Sequence, residues 1–235
     1  MAKNVASTRW SEFNLARAVF EIVIVAIGVM LALLVDEARQ ARNDGQLADE
    51  SMTAMRAELE DNRWRLIRKL ELLHRAYLDL EADPARAAQL VSDRRNQQVT
   101  PSDTAWVMTV ETGALRLLSP EDRSRFGMVY TANKTYYDIL SQEMTYWNGL
   151  AAYPADDRSP QMVRERDAAI RLWKNWANRV ALGVCISAAR IELAFHPQLS
   201  RDKLWTACRA YRATTPPAAL YRGFGLPMPP ARNFL

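Results

Sequence analysis

The sequence predicts an all-α protein in which a single N-terminal transmembrane helix is followed by an extramembrane helical bundle. Three observations carry that expectation. Ala18–Val35 holds one charge in eighteen residues; Met52, Leu59, Leu66, Leu73 and Leu80 recur every seven residues; and helix-start signals punctuate the remainder, with no sustained two-residue alternation to suggest a strand.

Eighteen helical residues rise about 27 Å, close to the roughly 30 Å of a hydrocarbon core, so 18–35 crosses a bilayer with little slack. A cleaved signal peptide is the competing reading. Residues 1–17 are long for its basic region and carry Glu12, and the apolar run exits into Asp36 and Glu37 with no A-x-A-like site. An uncleaved anchor in membrane lipid is therefore expected, with Trp10 and Phe13 suited to an interfacial aromatic belt. Lys3, Arg9 and Arg17 precede the span and Arg39 and Arg42 follow it. That excess puts residues 1–17 in the cytoplasm and the C-terminal domain outside, which for a bacterial inner-membrane protein is the periplasm.

Glu21 lies one turn inside the span, where an ionised carboxylate needs compensation. Arg17, four residues earlier on the same helix face, supplies it near the headgroups; contact with a partner helix or a proton-handling role is the functional alternative. Gly28 and Ala32 form a small-xxx-small pair that admits a close helix neighbour.

Residues 36–213 are enough for one helical domain with its own core. The seven-residue repeat, joined by Leu70 and Tyr77 at the alternate seam positions, predicts a long helix over 47–81, continuous with the span if Gly45 is tolerated. Asn62 and Arg63 interrupt the seam, which favours packing in a bundle over a self-associating coiled coil. Ser119-Pro120-Glu121-Asp122 and Ser159-Pro160 read as N-caps followed by first-turn prolines. Further helices are expected at 84–93, 103–118, 120–152, 160–195 and 201–213.

The stretch Glu21-Ile22-Val23-Ile24-Val25-Ala26-Ile27-Gly28-Val29, its apolar continuation and the pair Asp36-Glu37 resemble the anchor of an uncharacterised family of bacterial single-span membrane proteins. Gly113-Ala114-Leu115-Arg116-Leu117-Leu118-Ser119-Pro120 is similar to a later segment of that family, whereas Ala38 stands where such anchors often carry tryptophan. The resemblance implies a single-span, all-helical protein and brings no assigned activity.

Chemistry-bearing patterns are sparse. The chain has no Gly-rich phosphate loop, CxxC pair, HExxH or nucleophile elbow, and only two histidines. Glu71-x-x-His74 has the spacing of a di-iron carboxylate bundle, but that site needs a second such pair and two further glutamates, and Glu192 lies four residues before His196. No catalytic residue, metal or cofactor is expected. Tryptophans 64, 106, 147, 173, 176 and 205 suit core or interface positions. In the last 35 residues Arg201, Lys203, Arg209, Arg212, Arg222 and Arg232 oppose Asp202 alone, a +5 excess suited to an acidic protein surface or anionic headgroups. With the domain outside, nucleic acid is not an expected partner.

Residues 214–235, rich in proline and glycine, are expected to be a non-helical tail whose Leu220, Tyr221, Phe224, Leu226, Met228, Phe234 and Leu235 dock on the bundle. Cys185 and Cys208 lie on consecutive helices either side of His196-Pro197-Gln198. If the chain folds back there they sit at matching heights, which allows a disulfide; two small buried thiols are the alternative. The functional expectation is a non-catalytic, membrane-anchored structural or interaction protein, an accessory or scaffold subunit with a membrane-protein partner or further copies of itself. An enzyme or a ligand-binding sensor built on the same bundle is the alternative, and seventeen residues before the span are short for a sensor's output domain.

Overall fold

Among the residues described by the computed structural model, 6–94, 99–154 and 156–229, every regular element is helical. The chain divides into two units, residues 1–50 and 51–235. Helix α1, Ala6–Ala82, contributes to both, so Gly45 is accommodated in helical geometry at the usual modest cost of glycine. The side chains of Trp10 and Phe13 lie outside those described.

The second unit is built on α1 residues 51–82, α4 (Pro120–Leu140) with α5 (Glu143–Ala151), and α6 (Pro160–Phe195). Their relative directions follow from cross-helix partners. Arg63 meets Glu192, Tyr77 meets Trp173 and Glu81 meets Lys174, so α6 runs antiparallel to α1. Tyr130 bonds Glu58 and Glu143 pairs with Lys69, so α4 and α5 follow α1. Leu59, Leu66, Leu70, Leu73 and Leu80 of the seven-residue seam are buried, together with Phe126, Tyr136, Trp173, Trp176, Val180 and Val184 from the facing helices. Trp64 and Trp147 are buried as well.

The two Ser-Pro signals are observed as caps: Ser119 Oγ accepts from Asp122 N and Ser159 Oγ from Met162 N, each followed by proline in the first turn. Four expected boundaries are corrected. The 84–93 helix opens with a 3-10 turn, Pro84–Arg86, before α2, Ala87–Arg94. The 103–118 helix stops after α3, Thr104–Glu111, because Gly113 takes a left-handed conformation at φ +73°, and a 3-10 turn Ala114–Leu117 follows. The 120–152 helix divides where Ser141 Oγ bonds Asp138 O at 2.7 Å and tightens the turn between α4 and α5. The 201–213 helix ends as α7, Arg201–Ala210, with Tyr211 extended.

The expectation of a non-helical tail is also corrected. Pro217–Phe224 forms helix α8, with Pro216 and Pro217 at its start and Gly225 left-handed at φ +76° after its end. Those residues act as the boundaries of a helix, since proline suits the first turn and glycine the position past the last. Leu220, Tyr221 and Phe224 are buried, so the tail does pack as part of its own unit; residues 230–235, including Arg232, Phe234 and Leu235, lie outside the described residues.

Candidate interaction site

In the first unit, the large apolar side chains between Val19 and Val35 are 47–68% exposed, and none of the eighteen-residue apolar window is buried. Arg17 Nε lies 3.2 Å from Glu21 Oε1, so the structure brings this expected pair together. Both side chains are well exposed, and the pair by itself adds little stability in water. A Cβ on Gly28 would meet nothing within 4 Å, and Ala32 is exposed, so the small-residue face is open.

In the second unit two ion pairs inside the bundle, Lys69 with Glu143 and Arg63 with Glu192, join separate helices. Lys69 Nζ lies 2.5 and 2.6 Å from the two oxygens of Glu143, whose Oε1 also accepts from Trp147 Nε1 at 3.0 Å. Burial pulls the Lys69 ammonium below its ordinary range, and the Glu143 carboxylate opposes that shift. Arg63 Nε lies 2.6 Å from Glu192 Oε1, and the guanidinium sits 5.7 Å from the centre of the Tyr221 ring, which ties α8 to the α1–α6 seam. Burial raises the Glu192 carboxyl, against the pull of Arg63. Asn62 exchanges bonds with Ser102, donating to its carbonyl at 2.7 Å and accepting from its amide at 2.6 Å. Glu58 accepts from Ser102 Oγ, Ala105 N and Tyr130 OH. These contacts fix register: sliding either helix by a turn would strand a buried charge or amide.

Asn62 and Arg63, read from the sequence only as breaks in the seam, are the inward partners of Ser102 and Glu192. A polar pair in an otherwise apolar seam, with Glu192 in the apolar run of α6, was the available signal. His74 Nδ1 lies 3.0 Å from Ala213 O, whereas Glu71 faces Arg68 at 3.7 Å, so the Glu71-x-x-His74 spacing does not converge on one point. His196 Nε2 is 3.9 Å from Glu192 Oε2. No group of three or more potential metal ligands occurs among the described residues.

Cys185 on α6 and Cys208 on α7 are joined as a disulfide, with Cα atoms 5.5 Å apart and both side chains fully buried. The chain does fold back after His196, and the bridge staples α7 to the core beside the Ala213 N to Asn178 Oδ1 bond of 3.0 Å. Closing a loop of about 24 residues is worth roughly 3 kcal/mol in the chain-entropy account. Reduction and alkylation are therefore expected to lower the unfolding free energy by that amount in denaturant titrations. Equal midpoints for oxidised and reduced protein would show that the staple contributes nothing.

No protein-family model matches the chain, and neither the curated proteins nor the solved structures contain a significant match to it.

Proposed function

We propose that this chain is a membrane-anchored interaction protein: one span at 18–35, residues 1–17 in the cytoplasm of a bacterium, and a non-catalytic helical bundle in the periplasm, serving as an accessory or scaffold subunit of an inner-membrane assembly. The observation that carries the reading is the uncovered apolar run. Its side chains are about half or more exposed along its whole length, a condition far outside the patch size that water-soluble surfaces tolerate, and a bilayer is the solvent that suits it. The three-to-two cation excess before the span supports the orientation. The Cys185–Cys208 bridge supports it independently, because such bonds persist in oxidising compartments. The likeness of residues 21–37 to anchors of bacterial single-span proteins supports the class.

An interaction role is favoured because the bundle's buried ionisable pairs are consumed in holding helices together, while the span carries a polar handle at Glu21 and an open small-residue face at Gly28 and Ala32. The full chain expressed in a bacterium should remain in the membrane pellet through alkaline carbonate extraction and enter solution only with detergent. Release by carbonate alone would end the anchor reading. Gly28→Leu and Glu21→Gln should each loosen whatever co-purifies in mild detergent; unchanged co-purification and particle mass in both variants would reduce the span to an anchor only.

A further inference from the structure

A cleft of about 70 Å³ opens between α4, α6 and α7, lined by Arg125, Met128, Arg190, Leu193, Arg201 and Trp205. Its floor is apolar and its rim is made of guanidiniums. Arg125 is neutralised by Glu121 and Asp122 on its own helix. Arg190 spends one donor on Met128 O, at 2.9 Å, and Arg201 lies 6.0 Å from the centre of the Trp205 ring. Among the described residues neither Arg190 nor Arg201 has a carboxylate partner, and partial burial together with the neighbouring Arg201 charge disfavours the charged form of Arg190. Two like charges held beside an apolar floor are relieved by an acidic group entering between them. Forked guanidiniums recognise carboxylates with two parallel hydrogen bonds.

The chain itself contains a segment of matching chemistry. Between Asn43 and Met55, Asp44, Asp49 and Glu50 occur with no cation, and Leu47 and Met52 supply apolar side chains on the same helix. Asp49 and Glu50 are exposed. The cleft belongs to the end of the bundle at which the chain enters: Arg63 with Glu192 and Glu58 with Tyr130 place the late part of α6 and the early part of α4 beside the first turns of α1 after Ser51. We propose that the Arg190–Arg201 cleft of one copy receives the acidic Asp49–Glu50 stretch of a second copy, reciprocally, in a two-fold dimer. This rests on the interaction reading above and names its partner. Reciprocity makes the contact self-complementary, as a closed two-fold interface requires.

The test is a charge-swapped pair of full-length variants in mild detergent, with mass read by light scattering. R190E/R201E gives a protein with acidic cleft and acidic stretch, and D49K/E50K gives one with both basic. Each alone should be predominantly monomeric, with dimer dissociation at least about tenfold easier than in the unaltered chain, because like charges then face each other. An equimolar mixture should regain the dimer, since both contacts are again of opposite sign. Arg190 also holds the Met128 carbonyl, so R201E alone, at an exposed residue, is run beside the double variant, with helical circular dichroism as a check on folding. A monomeric wild-type chain, variants that keep the wild-type mass, or a mixture that fails to regain the dimer would each overturn the proposal; the last would assign the cleft to a lipid headgroup, another anion or the same chain. Carbonate extraction reports on the anchor separately, so a monomer that stays in the membrane contradicts the dimer and leaves the anchor standing.

Discussion

Glu143→Ala is expected to lower the unfolding free energy by about 3–5 kcal/mol, because it leaves the Lys69 ammonium buried without its counter-charge. The Lys69 side chain is 3% exposed and that of Glu143 8%, so solvent screens the pair poorly. The substitution also removes the acceptor of Trp147 Nε1. Introducing Lys69→Met into the Glu143→Ala chain should return most of the loss, since a buried pair replaced by apolar side chains of similar volume is often neutral. Denaturant unfolding followed by circular dichroism checks both. A loss under about 1 kcal/mol in the single variant would mean that water reaches Lys69 and that the pair behaves like a surface ion pair.

Trp173→Ala is expected to cost a comparable 3–5 kcal/mol, as large-to-small changes of buried tryptophan do. Its ring is fully buried and stands 5.1 Å from Trp147, 6.3 Å from Trp176 and 6.4 Å from Tyr77, so three aromatic rings, one each from α5, α6 and α1, meet around it. Trp173→Phe should cost less than half as much. The phenyl ring keeps most of the contact area, and the indole Nε1, which has no hydrogen-bond partner among the described residues, is removed with the rest of the indole. Equal losses in the alanine and phenylalanine variants would contradict this packing. The Glu143 and Trp173 effects should not add, because Trp147 touches both groups. A double variant whose loss equals the sum within about 0.5 kcal/mol would show the two sites to be independent.

Periodic burial and capping were legible in the sequence. The Leu59, Leu66, Leu73 and Leu80 repeat marked the buried stripe of α1, and Ser159-Pro160 marked the first residue of α6. Local chemistry that breaks a helix from within was not. Gly113 reads as tolerable in a helical pattern until it is seen left-handed, and the Ser141 hydroxyl competes for a carbonyl only once the turn has formed. Proline and glycine between 214 and 235 were read as breakers because composition does not say whether they lie inside a helix or at its two ends; Pro216, Pro217 and Gly225 are the boundaries of α8, and Gly223 lies within it.

The pairing of Arg63 with Glu192 and of Lys69 with Glu143 is long-range, across 129 and 74 residues, and no local pattern couples them. Of the two cleft arginines, Arg201 falls in the cation excess of the last 35 residues, whereas Arg190 and the apolar Met128 and Leu193 come from α6 and α4, and no local pattern joins them to it. Cys185 and Cys208 were different. Their symmetry about the His196-Pro197 break fixed their relative height in advance, although height says nothing of whether the side chains face each other.

The proposed topology has the chain cross a membrane once at 18–35 and carry its bundle outside the cytoplasm. It is tested most directly by fusing the C-terminus of the full chain, in a bacterial host, to two reporters in parallel, one that matures only in an oxidising periplasm and one that fluoresces only in the cytoplasm. A periplasmic bundle gives activity from the first and darkness from the second, with Cys185 and Cys208 protected from alkylation until reductant is added. A bright cytoplasmic reporter, an inactive periplasmic one and two freely alkylated thiols would contradict it.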